Sequence, residues 1–150
     1  MRWVVRDSIK LCALGQSDYE EILDLWRRAG LSIRVEGRDS AGAFARQMGW
    51  GVQRVTGLRD GDRLVAVAVL THDGRKGWIN RLAVDPAYRR RGLARRLIRE
   101  AEQWFTQEAG LEVWAALIEQ DNTASQALFE RMGYGQHNLV YVSKRTRPGA

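Results

Sequence analysis

The stretch Leu82-Ala83-Val84-Asp85-Pro86-Ala87-Tyr88-Arg89-Arg90-Arg91-Gly92-Leu93-Ala94-Arg95-Arg96-Leu97 decides the reading of this chain. An apolar run ends at a proline, which has no N–H for a strand ladder and stops it. A basic turn with one glycine follows. Leu93, Leu97, Ile98, Ala101, Trp104 and Phe105 then recur with helical spacing and predict a long helix over about residues 91–108. The first N–H groups of a helix have no internal partner and sit at the positive end of its dipole, so a helix start binds anions. Gly92 lets the backbone approach a ligand closely, and Ala94 keeps the first turn slim. Arg89, Arg90, Arg91, Arg95 and Arg96 surround the position with positive charge. The simplest ligand for such an arrangement is a pyrophosphate.

Upstream, residues 9–13 read as a short strand. Ser17, with Glu20 three residues on, forms a capping box that opens a helix. Tyr19, Ile22, Leu23, Leu25 and Trp26 lie on its inner face, and Gly30 closes it. Residues 31–38 are a polar, arginine-bearing loop, after which Asp39 or Ser40 caps a helix running to about Met48. Strands are predicted over 51–58, 63–71 and 77–84. Asp60-Gly61 and Asp73-Gly74 separate them, and Asp-Gly between apolar runs is a hairpin signal. The three strands therefore form an antiparallel meander. Downstream come a strand over 111–118, a helix over 122–132 stopped by Gly133, a last strand over 136–144, and a frayed tail. Strands and helices mixed in this order imply an α/β sandwich around one sheet.

The 150 residues suit one domain over 1–150. Hydrophobic residues at 45% and charged residues at 28% exclude a largely disordered chain. The single cysteine, Cys12, permits no intrachain disulfide; it reads as a small buried hydrophobe and fits a reducing compartment. No run approaches the ~18 apolar residues of a membrane span. Residues 1–7 lack the apolar core of a secretory signal. A soluble cytoplasmic protein is the expectation. The net charge of +6 and a pI near 10.1 suit nucleic acid, an anionic surface or a phosphate-bearing small molecule. No helix-turn-helix, RNA-binding or zinc pattern accompanies the charge, which disfavours nucleic acid. His72 and His137 have no metal-ligand spacing, so no metal is expected.

Arg89-x-x-Gly92-x-Ala94, after a strand ending Val-Asp-Pro, resembles the Gln/Arg-x-x-Gly-x-Gly/Ala signature of the GNAT (Gcn5-related N-acetyltransferase) superfamily. A second block, Asn122-Thr123-Ala124-Ser125-Gln126-Ala127-Leu128-Phe129-Glu130-Arg131-Met132-Gly133-Tyr134, resembles the family's asparagine, helix and Gly-aromatic segment. The resemblance covers about residues 9–144. It implies the GNAT fold: a mixed, mostly antiparallel central sheet of six or seven strands flanked by four helices. It also implies an acetyl-CoA-dependent N-acetyltransferase with acetyl-CoA as co-substrate, held where the fourth and fifth strands splay apart. Carried over, the backbone of Leu82, Ala83 and Val84 would pair with the pantetheine arm. Arg89 opens the signature, and the amides of Arg90, Arg91, Gly92, Leu93, Ala94 and Arg95 would hold the pyrophosphate. Asn122 would hydrogen-bond the pantetheine, and Ser125 and Phe129 would line the thiol end. A backbone N–H of the fourth strand would stabilise the thioester oxyanion. Dimerisation through the last strands fits the family.

The chain departs from the family at the proton-transfer positions. Many members place a tyrosine acid seven residues after the asparagine; here that residue is Phe129. Ribosomal-protein acetylases place a glutamate base five residues before it; here that residue is Leu117. Glu119 and Tyr141 remain as candidate catalytic groups, with Asp121 and Tyr134 nearby. The losses keep open a second reading, a non-catalytic acyl-CoA-binding sensor on the same fold. On the acceptor side, Arg27, Arg28, Arg34, Arg38 and Arg46 outnumber Glu36 and Asp39. That excess suits an amine acceptor bearing a carboxylate or phosphate.

Overall fold

The computed structural model describes residues 8–150. The expectation about a secretory signal falls on residues 1–7, outside the described residues. The chain runs through β1 (Ile9–Leu14), α1 (Tyr19–Arg28), α2 (Ala41–Gly49), β2 (Gln53–Asp60), β3 (Arg63–His72) and β4 (Gly77–Val84). It continues through α3 (Leu93–Gln103), β5 (Trp114–Ala116) and α4 (Thr123–Arg131). The strands form one sheet in the order β1-β2-β3-β4-β5, antiparallel except for the parallel β4–β5 pair.

β3 is central because its sequence is apolar on both faces. Val65, Ala66, Ala68 and Leu70 pack with Leu93, Leu97, Ile98, Ala101, Phe105 and Phe129 on the α3–α4 side. Leu64, Val67 and Val69 pack with Ile22, Leu23, Leu25, Trp26 and Phe44 on the α1–α2 side. Each fully buried aliphatic side chain contributes roughly 1.5–3 kcal/mol, so these two layers hold β4 and its C-terminal turn in place.

Several sequence expectations change. The first helix starts not from a Ser17–Glu20 box but from a short 3-10 turn, Gln16–Asp18, where the Gly15 N–H donates to Asp18 Oδ2 at 2.8 Å. α2 is capped by Ser40, whose Oγ accepts the Ala43 N–H. The long helix is regular only to Gln103 and ends in a wider turn, Trp104–Glu108, closed by Ala109 N–H to the Trp104 carbonyl.

Among the described residues the sheet has five strands rather than six or seven. Residues 136–144 form no strand among the described residues, although their β-forming sequence predicts one. Strand propensity is expressed only against a hydrogen-bonded neighbour, and this segment has none here. Leu139, Val140, Tyr141 and Val142 are 83, 88, 73 and 82% exposed. The tail after it is not frayed: Arg147 donates to the Glu36 carbonyl, and Ala150 N–H closes a turn on Arg147. Cys12 lies on β1 half-buried; burial raises its thiol pKa, and Arg59 opposes that less strongly.

Candidate active site

The sheet opens where β4 outruns β5. Their parallel pairing joins Gly77, Trp78 and Ile79 to Trp114, Ala115 and Ala116, and β5 ends there. β4 continues from Asn80 to Val84 without it. Leu82 and Val84 pack toward the α3 layer, and Ala83 is buried in the α1 layer. The strand edge between them is therefore placed to receive an extended ligand as an added strand. Surface hollows are lined by Glu21, Asp24, Arg28, Arg63 and Leu64, and by Arg99, Glu102, Gln103, Thr106 and Trp114.

A bulge sits at the same place. Val69 faces Asn80 and Val67 faces Ala83, so Ala68 stands opposite both Arg81 and Leu82. The extra residue breaks the ladder and re-aims the strand. Arg81 has a left-handed backbone, φ +47°.

Past the opening, Asp85 ends β4 and builds the turn into α3. Its Oδ1 accepts the Ala87 N–H at 2.9 Å, and its Oδ2 accepts Arg63 at 2.9 Å and Arg28. Its own N–H bonds the Val65 carbonyl, and its carbonyl accepts Tyr88 N–H, each at 2.8 Å. Burial alone would raise the Asp85 pKa; the Ala87 N–H and the two arginines outweigh it and hold the carboxyl below the usual carboxylate range. Arg91 stacks on Tyr88, whose hydroxyl donates to Asp60 at 2.6 Å.

The turn then prepares the helix start. Arg90 (φ +64°) and Gly92 (φ +74°) are both left-handed. Gly92 is the N-cap of α3, no side chain caps the helix, and no acidic residue lies in its first turn. The amides of Leu93, Ala94 and Arg95 are thus left to an external anion. A Cβ built on Gly92 would meet no protein atom within 4 Å, so the space beside it is open. Arg89, Arg90, Arg91 and Arg95 are exposed around it. Arg96 instead reaches back to the Ile9 carbonyl at 2.8 Å. A diphosphate fits these features, and an extended amide-bearing arm fits the free half of β4.

α4 follows β5 and packs Phe129 into the α3-side core. Asn122 caps it, with Oδ1 accepting the Ser125 N–H at 3.2 Å, which leaves its amide N–H groups to donate outward. Ser125 is half-buried, while Phe129 is buried and meets Tyr134 edge-on at 4.9 Å. Tyr134 is structural: its hydroxyl accepts from Trp114 Nε1 and donates to Glu102, both at 2.8 Å. Burial first and the Glu102 bond second push its pKa well above the usual phenol range. Glu119 is exposed at the turn before α4, its carbonyl accepting the Asn122 N–H and the Gln126 side chain. Tyr141, on the exposed segment, is not gathered with these residues. Leu117 is 65% exposed at the end of β5.

Sequence reasoning missed two features. One is the Arg28–Asp85–Arg63 clamp. The other is the cluster on the acceptor side, where Arg81 bonds Asp39 beside Trp26. Two buried donors in that cluster, Trp26 Nε1 and Arg34 Nε, have no hydrogen-bond partner among the described residues. Val-Asp-Pro was a usable signal for the first; nothing in the sequence marks an arginine for a left-handed backbone. Among the described residues, no group of three or more His, Cys, Asp or Glu side chains is arranged to hold a metal ion. No helix there is long and apolar enough to cross a membrane.

Comparison with known proteins shows the same fold. The structure is similar to the aminoglycoside N-acetyltransferase AAC(6')-Iy in complex with CoA, with a TM-score of 0.74 at 16% identity over 97% of this chain and 100% of that one. It is similar to the PaiA N-acetyltransferase of Thermoplasma acidophilum in complex with coenzyme A, with a TM-score of 0.76 at 15% identity, covering 88% and 92%. A putative acetyltransferase from Agrobacterium tumefaciens gives 0.75 at 21% identity, covering 91% and 99%. At such identities the likeness establishes the fold. The model of the acetyltransferase (GNAT) family matches residues 19–134, a span that holds both β4–α3 and the Asn122 helix, and the chain belongs to that family.

Proposed function

We propose that this chain, as one acetyltransferase domain, moves the acetyl group of acetyl-CoA to a primary amine on a small molecule, a peptide N-terminus or a lysine. The observation that carries the reading is the uncapped start of α3, preceded by left-handed Arg90 and Gly92, beside the free half of β4. The amine nitrogen attacks the acyl carbon directly, the C–N bond forms, and the C–S bond breaks to release the thiolate of CoA. An alkyl ammonium with a pKa near 10 must first lose a proton. Glu119, exposed at the turn before α4, is the carboxylate we assign to that step, acting through water. A thiolate with a conjugate-acid pKa of about 8.5 leaves with little help, so Phe129 in place of an acid does not block the reaction. Tyr141 enters the site only if its segment moves or is supplied by a second chain.

The acceptor side carries Arg27, Arg28, Arg34, Arg38 and Arg46 against Glu36 and Asp39, an excess that suits an acceptor bearing a carboxylate or phosphate. The resemblance to aminoglycoside acetyltransferases supports a polyhydroxylated amine as the first class to screen. The lone thiol of Cys12 suits a cytoplasmic setting.

The test is a thermal shift with acetyl-CoA, checked by calorimetry. Ligand at 100 times its Kd adds about 2.7 kcal/mol, a rise of about 5–10 °C for a chain of this size. No rise at millimolar acetyl-CoA overturns the reading. The sensor alternative is favoured by Leu117 and Phe129 at the two proton-transfer positions; turnover with any amine eliminates it.

A homodimer is part of the reading. What supports it is the exposed run Leu139, Val140, Tyr141 and Val142, together with exposed Val113 and Leu117 flanking the outer edge strand β5. An exchanged strand covers both apolar surfaces and pairs the edge, and a two-fold arrangement closes without leaving further edges. Sedimentation is expected to give twice 17.1 kDa, and Val140→Asp to give the monomer mass. A wild-type monomer at tens of micromolar removes the dimer.

A further inference from the structure

Arg81 joins two parts of the site that are far apart in sequence. Its guanidinium donates to Asp39 Oδ2 at 2.6 Å and to the Ser32 carbonyl, and it lies 5.3 Å from the centre of the Trp26 ring. Asp39 is buried, and the connection between α1 and α2 is folded around it. Its carboxylate also accepts the Arg34 N–H at 2.7 Å, and its carbonyl accepts the Tyr19 hydroxyl at 2.6 Å. Ser40, the next residue, caps α2.

At its other end, Arg81 is a bulge residue with φ +47°, a conformation that its Cβ disfavours. Such a backbone persists only where the surroundings over-determine it. Here the over-determination comes from the side chain, anchored at three points on the α1–α2 connection and Trp26. The peptide between Arg81 and Leu82 lies where β4 has just lost β5.

We propose that Arg81, with Asp39 as its anchor, is a positioning residue. It holds the β4 bulge so that a backbone N–H of the bulge points at the acyl carbonyl, and it fixes the acceptor-side connection to the same point. The inference rests on the acetyl-CoA reading above. Its consequence is specific. Acetyl-CoA and CoA share the diphosphate and the pantetheine arm and differ in the acyl carbonyl. A loosened bulge therefore weakens acetyl-CoA more than CoA, since both pair with residues 82–84 and only acetyl-CoA also loses the hydrogen bond to its carbonyl.

The experiment measures both dissociation constants by calorimetry for wild type, Arg81→Gly, Arg81→Lys, Asp39→Asn and the double variant Arg81→Gly/Asp39→Asn. Glycine accepts the left-handed backbone, so Arg81→Gly retains the fold, and its melting temperature checks this. The ratio of acetyl-CoA to CoA affinity is expected to fall about fivefold or more in Arg81→Gly and Asp39→Asn, the scale of one lost hydrogen bond. Arg81→Lys is expected to recover part of the ratio. The double variant is expected to lose no more than Arg81→Gly, because the two residues act as one unit. Amide exchange over residues 29–40 and 80–84 is expected to speed up together. A folded Arg81→Gly with the wild-type ratio overturns the proposal, as does a double variant whose losses simply add. Wild type binding neither ligand overturns the acetyl-CoA reading instead.

Discussion

Gly92→Glu is expected to abolish acetyl-CoA binding, with a loss of more than about 100-fold in affinity, while the protein stays folded. The argument separates two effects. The first is conformational: Gly92 has φ +74°, and any residue with a Cβ is disfavoured there by roughly 1–2 kcal/mol. That lowers the melting temperature by about 2–8 °C. The second is electrostatic and steric. A side chain at position 92 projects into space free of protein atoms, so a carboxylate there occupies the anion site and meets the ligand's like charge at the helix N-terminus. Gly92→Ala carries the first effect with little of the second. Calorimetry on the pair isolates the charge: Ala is expected to bind within about tenfold of wild type, Glu not measurably. Near-normal affinity in Gly92→Glu places the diphosphate elsewhere.

Asp85→Ala is expected to cost about 2–3 kcal/mol of stability, read as a fall of about 5–10 °C in melting temperature. The side chain is 4% exposed and accepts from Ala87 N–H, Arg63 and Arg28. Removing it uncaps the turn into α3 and leaves two arginines without their shared partner. Arg63 is 56% exposed and regains water, which keeps the cost below that of a fully buried pair. Asp85→Asn keeps the cap but loses the charge, and is expected to fall between. The pH dependence has a definite sign. The Asp85 pKa is lower in the folded state than in the unfolded one, so the unfolded chain takes up its proton first as pH falls. The stabilisation is complete above the unfolded value near 4 and disappears as pH falls through the lower folded value. Urea denaturation is expected to show a constant gap between wild type and Asp85→Asn from about pH 8 to 5, narrowing below pH 4. A gap that persists unchanged at pH 3 removes the ionised Asp85 from the account.

The turn and helix start proposed to hold the acyl donor were legible because local rules dictate them. A proline after an apolar strand, one glycine and a helical pattern specify a strand end, a turn and a helix start. The capping asparagine of α4 and the hairpin turns follow from the same short-range chemistry. The Arg28–Asp85 and Arg81–Asp39 pairs were not legible, since their partners lie 57 and 42 residues apart and are matched by sheet packing. The left-handed Arg81 follows from that packing too, against the residue's own preference.

Residues 136–144 mark the boundary most clearly. Their composition specifies a strand, and in the described chain they form none, because a strand exists only through hydrogen bonds to a neighbour. The sequence alone determined the order of the elements from β1 to α4, the basic glycine turn and the family, since each rests on contacts within a few residues or on spacing along the chain. Tertiary structure alone decided where β4 parts from β5, which arginines clamp Asp85, how Arg81 reaches Asp39, and that the last apolar run is left on the surface. Those outcomes depend on which distant backbones meet, and on the free energy of burying and pairing them.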